Sequence, residues 1–171
     1  MKWLGIAALG AATVLTSCSG SSSSGSKPAA IEVFGTWIIF EEGTQLCEAG
    51  GESFKDPKTD EYTAVLSQDG NEVKLKTGGD TYKGKMSGET LTWGFEESEN
   101  VSDGTYKAVY SGKVTYNEKT GEFTGTATFN ESGPGSLNPE NGKTWTCKEN
   151  LEITATCASA DCGIKKVKND G

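Results

Sequence analysis

Residues 81–95 read Thr-Tyr-Lys-Gly-Lys-Met-Ser-Gly-Glu-Thr-Leu-Thr-Trp-Gly-Phe, and this stretch carries the pattern that decides the fold. On both sides of Ser87-Gly88, in residues 82–86 and 91–95, every second position holds an apolar residue or a glycine. Such alternation places these side chains on one face of a strand. A short turn between two runs of this kind joins neighbouring antiparallel strands, so the stretch predicts a β-hairpin.

The same alternation recurs along most of the chain, and no comparable helical stripe accompanies it. It occupies residues 62–66, 73–75, 106–110, 114–116, 123–129 and 151–155. We therefore predict an all-β domain, an antiparallel up-and-down meander of about eight or nine strands. A meander must protect its two edges, and closing into a small barrel of about eight strands removes them. We expect this barrel in preference to a sandwich.

The first predicted strand carries Gly35-Thr36-Trp37, which resembles the Gly-x-Trp signature of lipocalins and related calycin barrels. The resemblance implies an up-and-down barrel whose closed end is plugged by Trp37. In that family an arginine of the last strand contacts the tryptophan, and this chain has no arginine. The resemblance is thus to a lipocalin-like barrel rather than to a lipocalin proper. The alternative is that Trp37 is an ordinary large core residue.

The N-terminus has the layout of a secretory signal, with a charged start at Met1-Lys2 and an apolar run over residues 3–15. This run is too short to span a bilayer as a helix. Leu15-Thr16-Ser17-Cys18 resembles the lipobox of bacterial lipoproteins. The resemblance implies cleavage between Ser17 and Cys18, and a lipid anchor carrying palmitate or a similar acyl chain on Cys18. The alternative is an ordinary signal peptide with a cysteine near the cut.

These features divide the chain into a cleaved signal peptide (1–17), a lipidated cysteine with a Gly/Ser-rich tether (18–30) and a single β-barrel domain (31–171). The tether has a typical reach near 20 Å. We expect a lipid-anchored protein of the bacterial cell envelope that meets the membrane through its anchor. By family resemblance, Ser19 after the cysteine implies the outer membrane if the organism is Gram-negative.

Composition excludes most catalytic chemistry. The chain has no histidine and no arginine, so it cannot build a Ser-His-Asp triad, a His-based metal site or an arginine fork for phosphate. Its net charge of −8 argues against nucleic acid. We predict no catalytic residue, no metal and no cofactor. A carboxylate-based hydrolase is an improbable alternative, because Glu41-Glu42, Glu96-Glu97 and Glu99 are predicted to be solvated charges at strand ends.

Four cysteines remain after Cys18 in a chain predicted to be exported. Cys47, Cys147, Cys157 and Cys162 imply two disulfides, with three pairings open. Their spacing lacks the Cys-x2-Cys pairs of structural zinc sites. If the first strand pairs with the last and the region of Ala155 lies near Phe34, closure brings Cys47 toward Cys147. This argument leaves Cys157 with Cys162.

Two functional classes remain open, and the state of the barrel interior distinguishes them. A structural or interaction protein would act on an envelope protein through its surface. A lipocalin-like binder would hold a small apolar or glycan ligand in a cavity of at least about 300 Å³. We expect large side chains to fill most of the axis, which favours the surface role. The candidate lining residues of a binder are Trp37, Trp93, Phe95, Tyr106, Tyr110 and Phe129.

Overall fold

The computed structural model describes residues 29–137, 142–158, 160 and 162–167. The signal segment and most of the tether, with Ser17 and Cys18, lie outside the described residues. Nine strands and one short 3-10 turn, Gly135–Leu137, account for nearly all of the described chain. The strands are β1 Ile31–Ala49, β2 Glu52–Asp69, β3 Glu72–Thr77, β4 Asp80–Ser87, β5 Thr90–Val101, β6 Gly104–Asn117, β7 Glu122–Gly133, β8 Trp145–Cys157 and β9 Gly163–Lys166.

The predicted antiparallel meander and its closure into an eight-stranded barrel are confirmed. Each strand from β2 to β8 pairs with its sequence neighbour, and β1 pairs with both β2 and β8. β9 extends the sheet beyond the end of β8, where it pairs with residues 31–34 at the start of β1. β1 is therefore the strand that closes the barrel.

Gly35 lies where β1 changes partner from β9 to β8. Its φ of +84° belongs to the left-handed region that favours glycine. Two residues later, Trp37 is fully buried, and its indole N–H donates to the Phe34 carbonyl at 3.0 Å. This backbone bond satisfies the indole in a chain that has no arginine. The Gly-Thr-Trp stretch thus combines a bend with a core side chain.

One half of the barrel is filled, and we call it the closed half. The Trp37 and Phe123 rings meet there edge to face, with centroids 5.3 Å apart, and Tyr116 packs against Phe123. Around them lie fully buried aliphatic side chains, among them Ile31, Val33, Val73, Met86 and Ile153. The expected filling of the axis therefore holds for this half of the interior.

The core begins earlier in the chain than the sequence predicts. Ala29, assigned above to the tether, is buried and belongs to the hydrophobic core. Its N–H donates to Asn71 Oδ1 at 3.0 Å, and the N–H of Ala30 donates to the Gly88 carbonyl at 2.9 Å. These bonds dock residues 29 and 30 against the β2–β3 and β4–β5 turns. Ala29 and Ala30 thus pack with the barrel, although they precede its first strand.

The barrel wall is low on one side, because β3 and β4 are the shortest strands of the closed ring. Their ladders with the neighbouring strands end at Val65 opposite Lys76 and at Gly84 opposite Trp93. On the side away from the closed half, β2 and β5 continue beyond these pairs. Within the described residues, β2 pairs there only with β1, and β5 pairs there only with β6. Free strand edges invite pairing with other chains, and Pro57 and charged side chains on these edges discourage it. The result is an opening in the wall.

Both predicted disulfides are confirmed. Cys47 and Cys147 lie directly opposite each other on β1 and β8, with Cα atoms 4.0 Å apart, and Cys157 bonds Cys162 across the β8–β9 connection. The register assumed between the first and last strands in predicting Cys47–Cys147 was only approximate, because Ala155 lies opposite Ile39 rather than near Phe34. The 47–147 bond covalently joins the two strands that close the barrel.

We predict that the two disulfides contribute unequally to stability. The Cys47–Cys147 bond closes a separation of 100 residues, and Cys157–Cys162 closes five. Chain-entropy arguments give about 4.7 kcal/mol for the long loop and about 2 kcal/mol for the short one. Cys47→Ser/Cys147→Ser should therefore lower the free energy of unfolding by more than Cys157→Ser/Cys162→Ser does, in urea titrations of the two variants. An equal loss would contradict this ranking.

Candidate functional site

The interior beyond the closed half contains a cavity of about 240 Å³, which we call the barrel cavity. Half-exposed Thr77, Tyr82 and Phe95 lie at its rim, next to the low wall formed by β3 and β4. The cavity therefore opens to solvent at that side. Its lining consists of Glu41, Tyr62, Ala64, Leu75, Thr77, Tyr82, Trp93, Phe95 and Tyr110.

A buried glutamate lies in the cavity wall. Glu41 is 7% exposed, and it lies on the same inward face of β1 as Trp37 and Ile39. The hydroxyl groups of Tyr62 and Tyr110 both donate to Glu41 Oε1, at 2.9 Å and 2.6 Å. These two tyrosines come from β2 and β6, which flank the interior from different sides. One carboxylate oxygen thus joins three strands.

Aromatic rings cover much of the remaining wall. Phe95 and Tyr110 stack with centroids 5.7 Å apart and planes inclined by 5°. Tyr82 contacts Phe95 at 5.2 Å, and Trp93 contacts Tyr110 at 6.1 Å. Gly112 permits this arrangement, because a Cβ atom there would lie 2.6 Å from the Trp93 ring. The rings pack against one another and still leave the barrel cavity between them.

The tyrosine hydroxyls are held in the neutral form. Burial is the main cause that raises the pKa of Tyr62 far above its usual value, and the negative charge of Glu41 adds to it. Burial also raises the pKa of Tyr110, with further contributions from Tyr62 and from the hydrogen bond to Glu41. Both side chains therefore remain hydrogen-bond donors throughout the physiological pH range.

Besides Glu41 and its two tyrosines, a second group of polar side chains lies further from the closed half than the barrel cavity does. Gln45 donates to Glu149 Oε1 at 2.6 Å, and Lys58 forms an ion pair with the same oxygen at 3.5 Å. Tyr106 donates to Glu131 at 3.4 Å, and burial, followed by the charge of Glu149, raises the pKa of Glu131. This cluster pairs most of its own charges, unlike the cavity, whose lining holds Glu41 and no basic residue.

The six candidate lining residues separate into two sets. Trp93, Phe95 and Tyr110 line the barrel cavity. Trp37 lies in the closed half, the Tyr106 ring packs against Trp145 with centroids 6.4 Å apart, and the Phe129 ring contacts Phe95 with centroids 6.3 Å apart. The candidate lipidation and cleavage residues, Cys18 and Ser17, lie outside the described residues.

Two of the sequence expectations were wrong at this site. Glu41 is not a solvated charge at a strand end, although its neighbour Glu42 is exposed on the opposite face, as alternation requires. The expected filling of the axis holds only for the closed half, because the barrel cavity occupies the interior beyond it. Glu96, Glu97 and Glu99, which were also predicted to be solvated charges, are exposed.

Sequence reasoning missed Glu41, Tyr62 and Tyr82 as cavity residues. The signal for Glu41 was present, because the alternation that buries Trp37 continues through Ile39 to this position. Tyr62 and Tyr82 each begin an alternating run, and this pattern predicts that both side chains point inward. That all three lie at the same height in the barrel depends on register and not on local pattern.

Other features of the described residues offer no competing site. A depression on the outer surface, bordered by Glu42, Thr44, Thr128 and Glu152, is larger, at about 710 Å³, but it is wide open to solvent and its lining has no buried polar side chain. The described residues include no group of three or more cysteine, aspartate or glutamate side chains placed to hold a metal ion. They also include no helix long and apolar enough to cross a membrane.

The fold and site define the class of this molecule: an eight-stranded, antiparallel β-barrel with one filled half and one hollow half. Comparison of the sequence with protein-family models and with curated proteins gives no match. The functional assignment therefore has to come from the geometry of the site.

We predict that Tyr62 and Tyr110 make the protein sensitive to alkaline pH. A tyrosine whose pKa is raised by folding contributes stability that is complete below about pH 10, the pKa of the unfolded side chain, and is lost as the pH rises above it. The loss reaches about 1.4 kcal/mol per pH unit for each such tyrosine.

The measurement is the free energy of unfolding between pH 8 and pH 11, values chosen to bracket the tyrosine pKa of about 10. Tyr62→Phe/Tyr110→Phe should be less stable than wild type at pH 8 and should show a shallower decline above pH 10. Lysine ionisation is common to both proteins and cancels in the comparison. Identical slopes for the two proteins would refute the burial of these hydroxyls.

Proposed function

We propose that this protein is a lipid-anchored binding protein of the bacterial cell envelope, which holds a small ligand in its barrel cavity. The observation that carries the proposal is an aromatic cavity that opens to solvent and contains a buried carboxylate. Ligand sites are typically concave and apolar, with a few polar groups that fix orientation. The barrel cavity has this composition.

The size of the cavity limits the ligand. At about 240 Å³ it is smaller than the roughly 300 Å³ at which pockets for drug-sized ligands begin. The expectation of a cavity at least that large is therefore not met. The ligand is accordingly smaller than a typical lipid or oligosaccharide, and its apolar part lies against Ala64, Leu75 and the rings.

A role through the outer surface is the second candidate. It is favoured by apolar side chains that project outward from the barrel, among them Phe40, Leu46, Val65 and Val109, each between 37% and 49% exposed. Such side chains would suit contact with another envelope protein. They are scattered over several strands, however, and a site for one partner is a contiguous patch. We therefore place this role second.

The lipid anchor would hold the barrel at the membrane surface. The lipobox-like tetrad ending at Cys18 supports this part of the proposal, and the Gly/Ser-rich tether would separate the barrel from the headgroups. Two or three acyl chains suffice for stable attachment, whereas a single chain holds only marginally. The cavity would then sample solutes next to the membrane.

We predict that blocking the low wall abolishes ligand binding. Thr77→Trp places a large side chain at the rim, whereas Thr92→Trp places the same side chain on the outer face of β5. Binding of benzyl alcohol, benzylamine and benzoate to the full-length protein can be followed by ligand-observed NMR. At least one probe should bind wild type and Thr92→Trp, and it should not bind Thr77→Trp. Absence of binding to wild type, or equal binding to both variants, would refute the proposal.

We predict separately that Cys18 carries the lipid. Cells grown with labelled palmitate should incorporate label into wild type and Ser19→Ala, because only the cysteine accepts the thioether-linked lipid. Cys18→Ser should carry no label, and the protein should leave the membrane fraction. Label retained on Cys18→Ser would overturn the anchor.

A further inference from the structure

The two oxygens of Glu41 have different environments. Oε1 accepts hydrogen bonds from both Tyr62 and Tyr110. Oε2 accepts none from any described residue, and no described lysine lies within ion-pair distance of it. A structural role in joining β1, β2 and β6 therefore accounts for only one of the two oxygens.

Oε2 is not sealed inside the protein. Among the described residues that are not exposed, the only fully enclosed side-chain nitrogen or oxygen without a hydrogen-bond partner is Trp145 Nε1. Since Oε2 also lacks a partner, it must keep access to open space. Glu41 is more than nine-tenths buried and lines the barrel cavity, so that open space is the cavity.

A buried carboxylate without a counter-charge is costly to maintain. The nine lining residues include no lysine, and the chain has neither arginine nor histidine to supply a positive charge. Lys58, the inward-facing lysine of β2, is already paired with Glu149. The charge complement of Glu41 is thus missing from the described protein.

The rings around Glu41 favour the same kind of ligand. Trp93, Phe95, Tyr82 and Tyr110 lie in one wall of the cavity, and aromatic faces attract cations through their quadrupole. The attraction strengthens when the cation is removed from water. Aromatic rings combined with one carboxylate therefore select a positively charged organic group over a neutral or anionic one.

We propose that the barrel cavity binds a small organic ammonium compound, with its cationic nitrogen between the aromatic wall and Glu41 Oε2. This inference rests on the proposed function, because it names the chemical class of the ligand. The alkyl substituents of the ammonium group would contact Ala64 and Leu75, and Tyr62 and Tyr110 would hold the carboxylate in place.

The test compares two probes of the same shape. Choline and 3,3-dimethyl-1-butanol differ in the replacement of the cationic nitrogen by carbon. Isothermal titration calorimetry uses the full-length protein in a glycosidic detergent, since phosphocholine detergents would compete. Wild type should bind choline at least tenfold more tightly than 3,3-dimethyl-1-butanol.

Glu41→Gln should remove this preference. Glutamine retains an oxygen that accepts from both tyrosines and replaces the charged Oε2 with a neutral NH2 group, so choline affinity should fall at least tenfold while the affinity for 3,3-dimethyl-1-butanol stays the same. Glu42→Gln removes an equal charge from the adjacent exposed position and should change neither affinity. Thermal unfolding of each variant establishes that it is folded.

The outcomes separate this inference from the proposed function. If 3,3-dimethyl-1-butanol binds wild type as tightly as choline, the cation assignment is overturned and the binding function remains. If choline does not bind wild type, the cation assignment is again overturned, and the benzyl probes with Thr77→Trp decide the binding function. If Glu42→Gln weakens choline as much as Glu41→Gln does, the preference is a general charge effect and the site is refuted.

Discussion

The double pairing of β1 is the constraint on which the rest of the structure depends. β1 bonds to β2 along one edge and to β8 along the other, which converts an open meander into a closed barrel. Closure turns the alternation of β1 into an inside and an outside, so Trp37, Ile39 and Glu41 become interior residues. The Cys47–Cys147 disulfide reinforces this closure at the point where β1 meets β8.

The interior is divided by the size and chemistry of its side chains. In the closed half, Trp37 and Phe123 interlock with aliphatic residues and leave no room for a ligand. In the hollow half, aromatic rings stack against each other along the wall, and the short β3 and β4 leave that wall low. The filled end gives the barrel a packed core, while the other end keeps a cavity that opens to solvent.

Local pattern was enough to predict most of the strands, the meander and the disulfide pairs, because these depend on alternation and on which strands meet. It did not predict β9, and it divided the single strand β6 into the runs 106–110 and 114–116. It was not enough to predict the height of each side chain along the barrel axis. Trp37, Tyr106 and Trp93 all point inward, yet they lie in the closed half, the polar cluster and the cavity. Height depends on strand register, which is set by contacts between distant parts of the chain. The alternation of β1 does indicate that Glu41 points inward, but the hydroxyls that stabilise it come from β2 and β6, and their position beside it depends on register.

The most direct test of the hollow half and its carboxylate is a crystal structure of the full-length protein grown with choline. The account predicts electron density for the trimethylammonium group in the barrel cavity, within about 6 Å of an aromatic ring centroid and beside Glu41 Oε2. Tyr62 and Tyr110 should still donate to Oε1. A cavity closed by the rings of Trp93 and Phe95, or a Glu41 side chain turned away from the interior, would contradict it.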